Sequence, residues 1–254
     1  MIPLTVIILT YNEEENIRAC IASARFGDRM LVFDSFSTDN TTSHAGFECV
    51  PVIQHPFRDY ASQRNAALDA VDTEWVLFLD ADERMTPELA EEIRTVIRDT
   101  DAVGFRIPRH NYIFGKLTCG AGWYPDYQTR LLKRGCARYD PAVEVHEVVL
   151  LDGPEGTLTH PLIHYNYRDL AQFVAKQQRY VQYDAQILHK RGIRPKPQNY
   201  VLQPLRHFWW RFVTLHGYRD GLHGLRLSGL MAWYELRKYV LLRGLWRGEV
   251  GAAG

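Results

Sequence analysis

Asp80-Ala-Asp82 closes the apolar run Trp75-Val76-Leu77-Phe78-Leu79. Five apolar residues ending in two carboxylates read as a buried strand whose C-terminal end opens into an acidic loop. Ligands of open α/β sheets sit at the carboxyl ends of the strands. Two oxygen donors there suit a hard divalent cation holding a diphosphate. The same residues also suit a strand that runs into an N-capped helix, since Thr86-Pro87-Glu88 has the form of a helix start. The choice between the two rests on what precedes the motif in the chain.

Two further polar loops precede it. Thr10-Tyr11-Asn12-Glu13-Glu14 follows the first apolar run, and Asp34-Ser35-Phe36-Ser37-Thr38-Asp39 follows the second. Helix capping explains any one of these loops taken singly. Three on one edge of a parallel sheet favour a nucleotide pocket, where carboxylates and Asn take ribose hydroxyls and base N–H groups and a metal takes the phosphates. No GxGxxG or GxxxxGK[ST] glycine loop occurs in the sequence, so the phosphates need another partner.

The elements that must position these loops alternate. Strands are predicted at 4–9, 30–33, 49–53 and 75–79, and helices at 13–24, 61–71 and 87–98. Asn12 with Glu15 three residues on has the form of a capping box for the first helix. This cadence implies an α/β fold with a mostly parallel sheet and right-handed crossovers. It changes after residues 103–108. A Gly- and Pro-bearing loop spans 109–127, shorter strands follow near 128–132, 143–150 and 157–164, and helices are predicted over 170–191, 203–216 and 222–243. The expected division is an α/β domain at 1–165, in halves at 1–105 and 106–165, and a helical C-terminal region at 166–254.

The formal net charge of zero over 254 residues hides a split. Residues 160–254 hold 15 Lys+Arg against 5 Asp+Glu, a local +10, and residues 1–159 hold 15 against 25, a local −10. An acidic front suits metal binding, and a basic, aromatic back suits an anionic surface. Cys20, Cys49, Cys119 and Cys136 have no CxxC or zinc-finger spacing, which points to reduced thiols. The N-terminal residues lack a cationic leader pattern, and no apolar run reaches the ~18 residues of a spanning helix.

Four motifs, in order and spacing, resemble a family 2 glycosyltransferase with the GT-A fold. They are Val6-Ile7-Ile8-Leu9-Thr10-Tyr11-Asn12-Glu13-Glu14, Asp34 to Asp39, Gln63-Arg64-Asn65-Ala66-Ala67, and Leu79-Asp80-Ala81-Asp82-Glu83-Arg84. Gly122-Trp123-Tyr124-Pro125-Asp126-Tyr127-Gln128-Thr129-Arg130-Leu131 and Val145-His146-Glu147 resemble a narrower subgroup, the bacterial lipopolysaccharide core β-glucosyltransferases. Phe36 departs from the Gly more usual there, and a bulky residue is not expected to take a positive φ.

The resemblance implies a metal-dependent, inverting transfer of a hexose, glucose first among them, from a UDP-sugar to a glycolipid or lipopolysaccharide core acceptor. Thr10, Tyr11, Asn12, Glu13 and Asp34 would line the uracil and ribose, and Arg64 would face the diphosphate. Asp82 would ligate Mg²⁺ or Mn²⁺, with Ala81 between it and Asp80, which would contact ribose or a metal-bound water. Glu147 and Asp126 are the candidate general bases, Glu147 preferred. Trp123, Tyr124, Arg130 and His146 are the candidate acceptor contacts. The other histidines, His160 and His164 among them, read as satisfied core residues.

The basic tail carries Phe208-Trp209-Trp210-Arg211-Phe212, Trp233-Tyr234 and Trp246-Arg247. Arg interleaved with interfacial aromatics suits a helix lying on an anionic membrane surface, as against a helix packed on the catalytic domain. The expected location is cytoplasmic, peripheral on the inner face of the cytoplasmic membrane. No nucleic-acid module accompanies the charge. Among rival readings, a haloacid-dehalogenase-type phosphatase would carry its Asp-x-Asp on the first strand. A sugar nucleotidyltransferase would need a glycine-rich, basic loop near the N-terminus, and a non-catalytic membrane-bound scaffold would not need these carboxylates.

Overall fold

The computed structural model describes residues 2–141 and 148–248. Strands Leu4–Thr10 (β1), Arg29–Asp34 (β2), Val52–Gln54 (β3), Trp75–Asp80 (β4) and Glu83–Arg84 (β5) alternate with helices Ile17–Ser23 (α1), Thr41–Phe47 (α2), Tyr60–Asp69 (α3) and Pro87–Val96 (α4). The later strands are Gly104–Ile113 (β6), Lys116–Leu117 (β7), Tyr127–Lys133 (β8), Ala137–Tyr139 (β9), Val149–Leu151 (β10), Glu155–Thr157 (β11) and Leu162–Tyr167 (β12). Helices Leu170–Lys190 (α5), Leu202–Trp209 (α6) and Gly221–Arg247 (α7) complete the described chain.

The main sheet runs in the order β3-β2-β1-β4-β8-β6-β12-β5. β1 pairs in parallel with β2 and with β4, and β8 runs antiparallel to β4. The buried strands read as continuous apolar runs because helices cover both faces. Leu4, Val6 and Ile8 with Trp75, Leu77 and Leu79 face one core, shared with Ile17 and Ile21 of α1 and Leu89 and Ile93 of α4. Their neighbours Ile7, Val76 and Phe78 face the other, with Ala61, Ala67 and Leu68 of α3. The period-2 alternation of a strand thus divides one sequence run between two cores.

The chain divides into two compact units, Met1–His110 with Asp126–His164, and Asn111–Pro125 with Tyr165–Gly254. Residues 111–125, within the expected 106–165 half, group with the helices. In the second unit Ile113, Tyr167, Phe173, Val181, Leu227 and Tyr234 form the core. The segment 111–125 is fastened there by Asp220, which accepts from the Cys119 and Gly120 N–H groups at 3.2 and 2.7 Å. Gly120 is required at this join, since a Cβ would lie 2.5 Å from the His216 carbonyl oxygen.

Local expectations fail where side chains override pattern. α1 begins at Ile17, and Asn12 is not its cap. Asn12 sits at φ +54°, and its Oδ1 accepts from the Thr38 N–H at 2.8 Å. That bond ties the first loop to the second. Phe36 does take a positive φ, +60°. Asp34 explains it: its carboxylate accepts from both the N–H (2.9 Å) and the hydroxyl of Ser37, holding a turn tight enough to force Phe36 left-handed. α2 carries no apolar periodicity to mark it in the sequence, since only Thr41 and Ala45 of its seven residues are buried. The strand expected over 157–164 is two strands, interrupted where Glu92 accepts from the N–H groups of Thr159 and His160. The helix expected over 203–216 ends as α-helix at Trp209 and continues as a π-helical turn, Trp210–Thr214.

A left-handed non-Gly residue costs ~1–2 kcal/mol, while Gly adds ~0.5–1 kcal/mol of backbone entropy cost. Phe36→Gly should therefore leave the protein as stable or up to ~1 kcal/mol more stable, measured as a rise in the urea midpoint. A clear fall would show that the exposed Phe36 ring contributes packing that outweighs the strain.

Candidate active site

Parallel pairing brings three strand ends level. Thr10 pairs with Asp34, and Leu9 with Asp80, so the loops after β1, β2 and β4 open on one edge. Thr10 Oγ1 is buried with no hydrogen-bond partner among the described residues, a position a ligand hydroxyl can complete. Asp34 is fully buried and also accepts from Gln54 Nε2 at 3.1 Å, while the Tyr11 ring is exposed. Glu13 accepts from Asn16 Nδ2 at 2.8 Å, and its own N–H donates to Thr41 Oγ1.

α3 stitches these ends together with three consecutive side chains. Asp59 caps the helix by accepting from the Ser62 N–H at 2.7 Å. Its small residues Ala61 and Ala67 are buried against the sheet. Gln63 then donates to Ser35 Oγ at 3.0 Å, Arg64 donates to Asp80 Oδ1 at 3.0 Å, and Asn65 exchanges two bonds of 2.9 Å with the Tyr139 backbone. The buried Arg64 guanidinium also lies 5.1 Å over the Phe78 ring and 5.6 Å over the Tyr139 ring.

Asp80 is held from two sides, by Arg64 and by Arg130. Glu83 is fully buried beneath it and accepts from the Asp80 N–H at 2.9 Å. Glu83 in turn accepts from Arg109 Nη1 at 3.2 Å and lies 3.8 Å from Arg130. Arg109 spans to Asp126, whose Oδ2 accepts from its Nε and Nη2 at 2.9 and 2.6 Å. Burial works against the Arg109 charge, yet the Glu83 and Asp126 carboxylates outweigh it and raise its pKa. Arg84 braces the loop, donating to the Ala81 carbonyl at 2.8 Å and to Asn16 Oδ1 at 2.9 Å, and the buried Ala81 donates its N–H to the Leu9 carbonyl. The Cys20 thiol lies behind this loop, 3.6 Å from the Asp80 carbonyl, and burial pushes its pKa well up, which suits a packed thiol and not a nucleophile.

Asp82 has an imidazole beside it. Its Oδ2 lies 3.4 Å from His164 Nε2, and its side chain is partly open. β12 places His164 there by pairing antiparallel with β5, His164 opposite Glu83. A carboxylate oxygen beside an imidazole nitrogen is a donor set suited to a divalent cation such as Mn²⁺. Among the described residues no cluster of three or more such donors exists, so a cation here would complete its shell with diphosphate oxygens and water.

Residues 5–136, more than half of the chain, match the family described as Glycosyl transferase family 2. The chain is a family 2 glycosyltransferase. It is 29% identical over 243 residues to the lipopolysaccharide core biosynthesis glycosyltransferase LpsC of Rhizobium meliloti (strain 1021), covering 91% of this chain and 86% of that protein. It is 25% identical over 256 residues to an uncharacterized glycosyltransferase of Rickettsia bellii (strain RML369-C), covering 95% and 86%. Among solved structures, a mannosyltransferase from Pyrobaculum calidifontis, in complex with GDP-Man and Mn²⁺, superposes with a TM-score of 0.49 at 16% identity, covering 98% of this chain and 76% of that one. The mixed α/β sheet described above is the GT-A fold of this family.

Within that fold the expected donor residues gather as one group. Thr10, Asn12, Asp34, Arg64, Asp80 and Asp82 all lie in the first unit at or against the three strand ends. Arg130, expected at the acceptor, is instead buried on Asp80. Trp123 and Tyr124 belong to the second unit. There Trp123 packs edge-on to Tyr167, while Tyr124 is exposed. Asp126 is clamped by Arg109, and Gln128 Nε2 donates to its other oxygen at 3.1 Å. His146 and Glu147 lie outside the described residues.

Three residues of this cluster are not legible as site residues in the sequence: Glu83, Arg109 and His164. Asp80-Ala81-Asp82-Glu83 places three carboxylates in four residues, and a buried group of that charge demands cations from elsewhere. That demand was the available signal for Arg109. Removing Glu83 would leave Arg109 and Arg130 short of a counter-charge in a buried place. Glu83→Ala should cost ~3–5 kcal/mol of stability in urea unfolding, and a loss under ~1 kcal/mol would contradict the network described.

Proposed function

We propose that this glycosyltransferase is metal-dependent and inverting, and that it moves a hexose, glucose by preference, from a UDP-sugar to a glycolipid acceptor of the lipopolysaccharide core type. The observation that carries the donor half of this reading is the Asp82–His164 pair beside the arginine-held Asp80. The acceptor class is suggested by the relative named for lipopolysaccharide core biosynthesis. No helix among the described residues is long and apolar enough to cross a membrane. We place the protein peripherally at the inner face of the cytoplasmic membrane, its basic C-terminal region toward the anionic lipid.

Thr10, Asn12, Glu13 and Asp34 hold the uracil and ribose, and the exposed ring of Tyr11 offers a face to the base. Asp82 and His164 would hold Mn²⁺ or Mg²⁺, which when bound neutralises the departing nucleoside diphosphate as a Lewis acid. Asp80 orients Arg64 and Arg130, so its part in donor binding is exerted through those guanidinium groups. In the reaction an acceptor hydroxyl attacks the anomeric carbon from the face opposite the diphosphate, the bond from that carbon to the phosphate oxygen breaks, and a carboxylate takes the hydroxyl proton. Both oxygens of Asp126 already accept hydrogen bonds from Arg109 and Gln128, so we assign the base to Glu147.

Two variants test the assignment. Asp82→Ala should abolish Mn²⁺-dependent UDP binding in calorimetry, and wild-type UDP affinity would overturn the metal role. Glu147→Gln should keep donor binding while turnover falls by ~10²–10⁴-fold. Full turnover in that variant would move the base to Asp126.

A further inference from the structure

Val201, Leu202, Leu205, Arg206, Trp209 and Trp210 recur along α6 and its flanks at i, i+1, i+4, i+5, i+8 and i+9, so they share one helix face. All six are exposed and five are apolar. A surface helix ordinarily turns its apolar stripe toward the core. α6 turns it outward: Leu205 is 62% and Trp209 64% exposed, and Leu222 at the start of α7, which packs on α6, is 85% exposed.

The surroundings of this face are cationic. Residues 202–248 hold eight Lys+Arg against Asp220 and Glu235, a net +6. Both acids are engaged within the unit, Asp220 by backbone N–H groups and Glu235 by Lys238 Nζ at 2.7 Å. Apolar anchors with interfacial Trp, Arg206 among them and a net +6 over the segment, complement the acyl boundary and the phosphates of an anionic bilayer. A second copy of the chain would set two cationic surfaces against each other.

We propose that the outward face of α6 docks into the headgroup layer of an anionic phospholipid membrane, Leu202, Leu205 and Trp209 entering it and Arg206 remaining at the phosphates. The inference rests on the peripheral-membrane reading above and specifies the element that executes it. The docking helix also holds the Trp123 segment. Arg211, in the π-helical turn that continues α6, donates to the Ala121 carbonyl at 2.6 Å, lies 5.8 Å over the Trp123 ring, and donates to His207 Nε2 at 2.8 Å. Residues 111–125 are therefore fastened to the continuation of the element proposed to meet the lipid.

Vesicle flotation of the full-length protein tests this without substrate. Wild type should float with phosphatidylcholine vesicles containing about 30% phosphatidylglycerol and not with pure phosphatidylcholine, and salt should weaken the binding. Brominated acyl chains in the anionic vesicles should quench its tryptophan fluorescence. Leu205→Ser/Trp209→Ser should lower the partition coefficient by at least ~10-fold while UDP binding, which reports the first unit, stays intact. Unchanged partitioning of the double variant, absence of quenching, or a wild-type dimer that the variant dissolves would each overturn the proposal. Should the double variant lose its fold, the quenching of wild type alone decides. Loss of UDP binding in Asp82→Ala with flotation retained would leave this inference standing whatever becomes of the catalytic reading.

Discussion

Three carboxylates, Asp80, Asp82 and Glu83, are packed at the end of one buried strand, and the surrounding chain is arranged to compensate them. An unpaired buried charge costs several kcal/mol, so the cations had to be brought in from distant sequence. Arg64 comes from α3, Arg109 from β6 and Arg130 from β8. The sheet order, which seats β8 and β6 beyond β4, is what delivers the last two. Fold and site are thus one electrostatic arrangement.

The described partners of the three carboxylates differ in kind. Asp80 and Glu83 face guanidinium groups, whose fixed fork geometry locks position. Asp82 faces an imidazole, which can serve as a metal ligand in its neutral form. Two of the three carboxylates therefore hold the loop in place, and the third is presented beside a nitrogen donor. The same economy recurs at α3, where Gln63, Arg64 and Asn65 each fasten a different segment, and at the second unit, where Arg211 fastens the segment bearing Trp123 to a helix whose other face is apolar and exposed.

Much of this was legible in the sequence because it is local. The apolar runs at 75–79 and 4–9 mark β4 and β1, since a strand buried on both faces must be apolar throughout. Thr86-Pro87 marks the start of α4, where Thr86 accepts from the Leu89 N–H at 3.2 Å. What was not legible depends on pairings across the chain. His164 reads as a core residue because nothing within its own strand reveals that its ring reaches Asp82. Arg130 reads as an acceptor contact only through the resemblance carried by the Gly122 to Leu131 motif, whereas its partner Asp80 lies fifty residues earlier. The bulk of Phe36 argues against a positive φ, but the Asp34–Ser37 turn decides it.

The division of labour between Asp80 and Asp82 is tested most directly by electron spin-echo spectroscopy of Mn²⁺ bound together with UDP. The account predicts nitrogen modulation from a single imidazole, present in the wild type and lost in His164→Ala. Absence of an imidazole nitrogen in the wild-type complex, or its persistence in the variant, would contradict the assignment of Asp82 and His164 as the pair that receives the donor's cation.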